Sequence, residues 1–386
     1  MDDAPGTPRW NWRHLLVLLL FPIGLKAAYL LGSVAVRGAG TDLQATYVAM
    51  AKKHDAYWYE RIAVTGYPAI TEPEAIGWSQ GPHFRQSAWA FFPLYPLLNR
   101  WTMRTAGTDF DHSALFWGLV LSAAVALCAY RAGRAFLGDR PRALFFALVL
   151  VGFPFAFHQS MFYTEALFLT AMLLAFLCVH HGRYPWLAPV LMALVLVRPN
   201  GIAVLLPLYA YHLERTGALH GVRVRWRDLA GRANIRRSLP FVAGAAAFVG
   251  WCLYQHRMTG HYFAFSMAQA GWYREPMFPL LAFFRSGDAA TQFNSFYTIG
   301  ALLFAFFTRR LLPLSLNLLV LLGILLPLCS GSVASMPRFI AVLFPLSITL
   351  TLLAYHGRHR YTALAAVLVL HFASFLGWAT GHPIGL

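Results

Sequence analysis

Apolar residues in this chain come in long unbroken runs, such as Leu15–Leu31, Leu115–Ala129 and Leu311–Leu328. No segment of about ten residues alternates apolar and polar positions in the way a strand of a membrane barrel would. A bilayer core about 30 Å thick takes about 20 apolar residues in helical form. Within lipid the backbone must satisfy its own hydrogen bonds, so these runs are read as helices. The pattern predicts eleven of them, over 14–36, 112–130, 143–157, 166–180, 186–197, 201–213, 239–256, 293–308, 311–329, 338–355 and 361–379. Several middle spans are too short to cross a bilayer alone, and are expected to pack around a cavity and cross only in part. The expected fold is an all-α polytopic membrane bundle, with residues 1–386 forming a single membrane-embedded domain.

Composition agrees: 58% of residues are hydrophobic and only 12% charged. The net charge of +16 invites a nucleic-acid partner, but the placement of the charges argues against one. Basic residues gather in short connections between apolar runs, as the positive-inside rule requires. The clearest such loop is Thr216–Ser238, with Arg223, Arg225, Arg227, Arg232, Arg236 and Arg237. A cytoplasmic N-terminus puts 131–142, 181–185, 214–238, 309–310 and 356–360 inside, with more than half of the 31 basic residues. Two long segments, 37–111 and 257–292, then face outward. In the first, Thr46–Val64 reads as an amphipathic helix, with Tyr47, Met50, Tyr57, Trp58 and Ile62 available to lie in the membrane interface. Pro82–Leu98 follows, carrying Trp89, Phe91, Phe92 and Tyr95, residues that favour the headgroup level.

The cysteines Cys128, Cys178, Cys252 and Cys329 all lie in apolar stretches without a CxxC pair, which indicates packing and no disulfide framework. No HExxH, phosphate-binding glycine loop, GxSxG or metal-spaced histidine cluster is present. The expectation is therefore no bound cofactor or metal and no sugar-nucleotide donor.

The residues that could carry chemistry are few and fall on the outward side. Asp55 opens the interfacial helix, where a carboxylate is favoured by the helix dipole and can also serve as a base. Glu165 stands at the start of an apolar helix, with Ser160 or Thr164 as its cap. Arg198 interrupts Leu194-Val195-Leu196-Val197 and precedes Pro199-Asn200-Gly201, a sharp reversal; a cation at membrane depth needs a partner or a wet cavity. Arg338 sits at a helix start, an unfavourable place for a cation unless an anion is near. Gln269, Trp272 and Arg274 offer further polar and stacking groups. Lys26, inside the first helix, reads as a paired structural lysine.

In order along the chain, His54-Asp55-Ala56-Tyr57-Trp58-Tyr59-Glu60-Arg61-Ile62-Ala63, Gly66-Tyr67, Ala90-Phe91-Phe92-Pro93-Leu94-Tyr95-Pro96-Leu97, Tyr163-Thr164-Glu165-Ala166-Leu167-Phe168, Arg198-Pro199-Asn200-Gly201 and Pro337-Arg338-Phe339 form a set. This set resembles the class V mannosyltransferase family of GPI-anchor synthesis, and its bacterial relatives more closely. Thr259-Gly260 through Ala268-Gln269 and Trp272 resemble the bacterial branch. One departure is His54, where the family has tryptophan before the aspartate. The resemblance implies membership of the glycosyltransferase C superfamily and an active site on the outer face, periplasmic in a bacterial inner membrane. It implies an inverting transfer of a sugar, mannose by family habit, from a polyprenyl-phosphate donor. The acceptor, whether glycan, lipid or protein, is not implied. Asp55 is the expected general base; Arg198, Arg338, Arg274, Asn200, Gln269 and Glu165 are the expected donor-phosphate and substrate contacts. The rival reading is a lipid or solute transporter, which would want polar groups near the bilayer midplane reachable from both sides.

Overall fold

A computed structural model describes residues 11–37, 42–69, 86–285 and 287–382. It is almost wholly helical. The chain enters through α1 (Trp12–Arg37), α2 (Leu43–Ala51), α3 (Asp55–Thr65) and α4 (Leu94–Ala106). The central helices are α5 (Phe110–Leu137), α6 (Arg140–Val151), α7 (Glu165–His180), α8 (Tyr184–Val197) and α9 (Gly201–Thr216). A two-residue hairpin, β1 (Leu219–His220) with β2 (Arg223–Val224), leads to α10 (Trp226–Leu229), α11 (Arg232–Thr259) and α12 (Ala264–Met267). The chain closes with α13 (Ala289–Thr308), α14 (Leu314–Leu328), α15 (Met336–Ala341), α16 (Phe344–Ala354) and α17 (His359–Thr380).

Among the described residues, four helices are long and apolar enough to cross a membrane: Trp12–Val36, Phe110–Leu137, Arg232–Thr259 and His359–Thr380. The sequence pattern had counted eleven spans. The apolar helices α7, α8, α14 and α16 run for 11 to 16 residues, short of the ~20 that a full crossing takes. They sit inside the bundle: Leu169, Met172, Leu173 and Phe176 of α7 and Leu187, Leu191, Leu194 and Val195 of α8 are fully buried. Burial by neighbouring helices makes the short spans apolar as effectively as lipid would. This is an all-α membrane protein whose inner helices stop part-way.

Two expected helices are broken. Thr46–Val64 divides at Lys52–His54, where His54 takes φ +46°, a region costly for a residue with a Cβ. Lys52 holds the break in place, its Nζ 2.6 Å from Glu60 of α3 and 2.8 Å from Asp111 of α5. The span 338–355 divides between α15 and α16. Pro345 explains the division: it has no N–H for a bond to Ala341, and its ring would collide with that carbonyl. The basic loop is also more structured than a linker, since Arg232, Arg236 and Arg237 already belong to α11. Thr164 precedes α7 but makes no side-chain cap bond, and all four cysteines are free thiols. Of the aromatic segment Pro82–Leu98, the residues from Pro82 to Arg85 lie outside the described residues. Lys26 is not paired: among the described residues its Nζ has no hydrogen-bond partner.

The bundle has two polar ends. At one, Arg142 lies over the ring of Tyr355, His180 meets Tyr211 at 2.8 Å, and Glu214 accepts from the Ser315 backbone N–H at 3.0 Å. The other end gathers the starts of α3, α7, α9 and α15.

Candidate active site

Four charged side chains from four helices form one chain of alternating sign. Asp55 is the first residue of α3, where unsatisfied backbone N–H groups favour a carboxylate. Its Oδ2 accepts a hydrogen bond from Arg338 Nη1 at 2.9 Å, leaving Oδ1 outside that pair. Arg338 Nε lies 3.2 Å from Glu165 Oε1, near enough for charge attraction but not aligned as a hydrogen bond. Arg198 Nη2 donates to the same Oε1 at 3.0 Å. Glu165 is thus clasped by two guanidiniums, with 2% of its side chain exposed. The Phe339 ring stands between the arginines, 5.2 Å from the guanidinium of Arg198 and 5.3 Å from that of Arg338. Burial works against the charge on Arg338, yet Asp55 and Glu165 outweigh it and raise its pKa.

Local sequence explains how each member is presented. Arg198 ends α8 in extended backbone before the Pro199-Asn200-Gly201 reversal. A Cβ on Gly201 would lie 2.2 Å from the Leu194 carbonyl oxygen, so only glycine lets α9 begin this close to α8. Pro337 occupies the first turn of α15, a position where its missing N–H costs nothing.

Around this chain opens a cavity of about 560 Å³. Asp55, Arg198, Asn200, Gln269, Arg274 and Arg338 line it, so six of the seven residues singled out from sequence share one wall space. Glu165 does not line it; it lies behind, holding the two arginines. A second cavity of about 620 Å³ lies against Lys53, Tyr57, Trp58 and Arg61, and shares His54, Asp55 and Trp272 with the first. Asp55 is the one carboxylate that borders both. Trp58 and Trp272 meet edge to face at 6.1 Å along the shared wall.

Arg274 differs from the other two arginines. No carboxylate pairs with it among the described residues; its contacts are Gln269 Oε1 at 3.4 Å and the Ala334 carbonyl at 3.3 Å. Burial, with the nearby Arg338 charge, lowers its pKa to about 10. It stays protonated at neutral pH, so the cavity holds one guanidinium more than its arginine-bound carboxylates balance.

Among the cavity residues given no role from sequence are His158, Trp378 and Tyr163. His158 donates from Nδ1 to the Phe155 carbonyl at 3.0 Å, which leaves Nε2 as an acceptor. Burial, reinforced by Arg338, lowers its pKa well below the usual value and keeps it neutral. Trp378 of α17 donates to the Met50 carbonyl at 3.0 Å and accepts from Lys53 Nζ at 2.8 Å through its own carbonyl. Tyr163 packs 5.0 Å from the Arg338 guanidinium. Backbone strain collects here as well. The non-glycine residues with left-handed φ among those described are His54, Phe155, Tyr273 and Ser335, each within three positions of Asp55, His158, Arg274 or Arg338. Strain of this kind persists where the surroundings over-determine a geometry.

No family model matches the chain, and no curated protein matches it. Among solved structures it is similar to the oligosaccharyltransferase of Archaeoglobus fulgidus in three forms. With an acceptor peptide containing the NVT sequon tethered by a disulfide bond, the TM-score is 0.47 at 11% identity, over 94% of this chain and 55% of that one. In complex with zinc and sulfate it is 0.44 at 14% identity, over 93% and 53%. With an inhibitory peptide and a dolichol-phosphate it is 0.43 at 10% identity, over 94% and 56%. The chain spans about half the length of these proteins.

Proposed function

We propose that this chain is a membrane glycosyltransferase that moves a sugar from a polyprenyl-phosphate donor to an acceptor hydroxyl. The observation that carries the reading is Asp55, the carboxylate bordering both cavities. A group in that wall can reach two substrates that approach from different sides. The acceptor hydroxyl gives its proton to Asp55 Oδ1 while its oxygen attacks the anomeric carbon. The bond from that carbon to the phosphate oxygen breaks on the opposite face, and the polyprenyl phosphate leaves with the electron pair. The anomeric centre inverts.

Charge growing on the leaving phosphate calls for preorganised cations. Of the three arginines expected from sequence, Arg198 and Arg338 are each already held by a carboxylate. Arg274, without a carboxylate partner, is the better phosphate contact, with Arg338 beside it. Asn200 and Gln269 supply hydrogen bonds to substrate from the same wall, and Glu165 keeps Arg198 and Arg338 in register. Mannose as the sugar, membership of the class V group, and a bacterial inner-membrane site facing the periplasm rest on the sequence resemblance. A transporter would need its polar groups reachable from both ends of the bundle, whereas this cluster lies at one end. Incubating purified protein with a panel of polyprenyl-phospho-sugars tests the reading. Consumption of one donor with release of polyprenyl phosphate is expected, and inertness toward the whole panel would remove it.

A further inference from the structure

Lys26 takes no part in the site above. It lies within α1, about 16 Å along the helix from the Arg37 end at 1.5 Å per residue. The residue is 8% exposed, and its ammonium finds no acceptor among the described residues. An isolated buried ammonium is so costly that a lysine at membrane depth is expected to have a partner.

The Lys26 side chain borders a cavity of about 280 Å³ between α1 and α5. Ile23, Leu30 and Leu119 form its apolar part, Tyr47 and Ser160 its polar part, and no carboxylate lines it. Ile23 and Leu119 are each 53% exposed on helices long enough to span the bilayer, so this part of the cavity opens toward lipid. Tyr47 comes from α2 and donates to the Ser160 carbonyl at 3.0 Å. Both belong to segments at the active-site end, and they bring polar groups down to the depth of Lys26. A headgroup can therefore descend there without losing every hydrogen-bonding partner.

We propose that this cavity binds an anionic phospholipid of the surrounding membrane. Its phosphate meets Lys26, with Ser160 alongside, and an acyl chain lies along Ile23, Leu30 and Leu119. Cation, polar pair and apolar groove match the two halves of such a molecule, and the bilayer supplies it without a delivery step.

The test uses the full chain in nanodiscs of phosphatidylglycerol and phosphatidylcholine with matched acyl chains, with retained lipid counted by native mass spectrometry. Wild type is expected to retain one phosphatidylglycerol, preferred about ten-fold over phosphatidylcholine, because both carry the phosphate but only the phosphatidylcholine headgroup brings a second cation, which weakens the compensation of the Lys26 charge. Lys26→Met keeps length and apolar bulk and should abolish the preference, while Lys26→Arg should keep it. Leu119→Trp fills the apolar part from an exposed position and should also lose the lipid with Lys26 intact. That second variant carries the test if Lys26→Met does not fold. Equal retention of the two lipids by wild type, or full retention by both Lys26→Met and Leu119→Trp, overturns the proposal. So does displacement of phosphatidylglycerol by added polyprenyl phosphate at equal concentration, which would make the cavity a product site.

Discussion

The two polar ends of this bundle use charge in opposite ways. At the basic end, ion pairs are local and wet: Arg142 with Asp139 and Arg225 with Asp228 are three residues apart, and each partner is more than 40% exposed. Left-handed backbone there falls on Gly138, Gly182, Gly217, Gly221 and Gly357, where it is cheap. Within the site the pairs are largely buried and distant in sequence: Asp55 and Arg338 lie 283 positions apart, and left-handed backbone at that end falls on His54, Phe155, Tyr273 and Ser335 as well as on glycines. An exposed pair contributes about 0–1 kcal/mol, whereas losing one partner of a buried pair costs about 3–5 kcal/mol. Charge at one end is cheap and open to solvent, and charge at the other is held in a fixed arrangement at some cost.

The contrast breaks most severely at the carboxylates. Asp55→Asn should lower thermal stability, because Arg338 loses one of its two anions, but a folded, donor-binding protein is still expected, with sugar transfer down by about 10²–10⁴, the usual contribution of a general base. Glu165→Gln should act through stability, since it leaves Arg198 and Arg338 facing each other without their shared anion. A loss of about 3–5 kcal/mol in thermal unfolding is expected. Near wild-type transfer by Asp55→Asn together with a folded but inactive Glu165→Gln would exchange their roles.

Arg274→Gln comes next. It should raise the donor KM by about ten-fold or more, the weight of one charge-assisted contact to phosphate. Arg198→Lys should instead lower thermal stability more than it changes KM, because the lysine keeps charge but loses the fork. The opposite pattern would return the phosphate role to Arg198.

Gly201→Ala should cost about 1–3 kcal/mol from overpacking against Leu194, and transfer should fall as Arg198 shifts. An unchanged melting temperature would mean that α8 and α9 separate more readily than their packing suggests. At the basic end the same kind of probe should do almost nothing: Arg225→Ala is expected within about 0.5 kcal/mol of wild type with full transfer.

Orientation sharpens the comparison without any catalytic assay. A cysteine replacing Thr291 should react with an impermeant thiol reagent in intact cells, and one replacing Ala230 should not. Labelling at Ala230 would invert the assignment of inside and outside.

Much of the site could be read before the fold was known, because polar residues in an apolar chain are conspicuous. Arg198 breaks a valine–leucine run, Arg338 sits at a helix start that disfavours it, and Arg274 follows an aromatic turn. What the pattern could not give was pairing, since partners hundreds of positions apart leave no periodic trace. His158 was overlooked for a related reason: it stands among phenylalanines, where a histidine usually reads as core. Trp378 lies in an apolar helix far from every motif and carries no local signal. The break at Val342–Leu343 was legible in Pro345. The break at Lys52–His54 was not, since it depends on Lys52 reaching Asp111 in another helix. Length was the useful signal at α7 and α8, which are too short to cross a bilayer alone, although burial inside the bundle makes them as apolar as burial in lipid would.

The contact between Trp378 and the α2–α3 break sets an order of events during synthesis. Every member of the ion-paired chain, from Asp55 to Arg338, precedes α16, so a growing chain can assemble the charges before α17 emerges. The cavity wall beside His54 and His158 is then still open, because the indole that packs on both rings belongs to α17. Until α17 docks and Lys53 finds the Trp378 carbonyl, a nascent chain holds its charges in place but cannot seal them from water. Competence is therefore reached only once α17 has been inserted against the α2–α3 break.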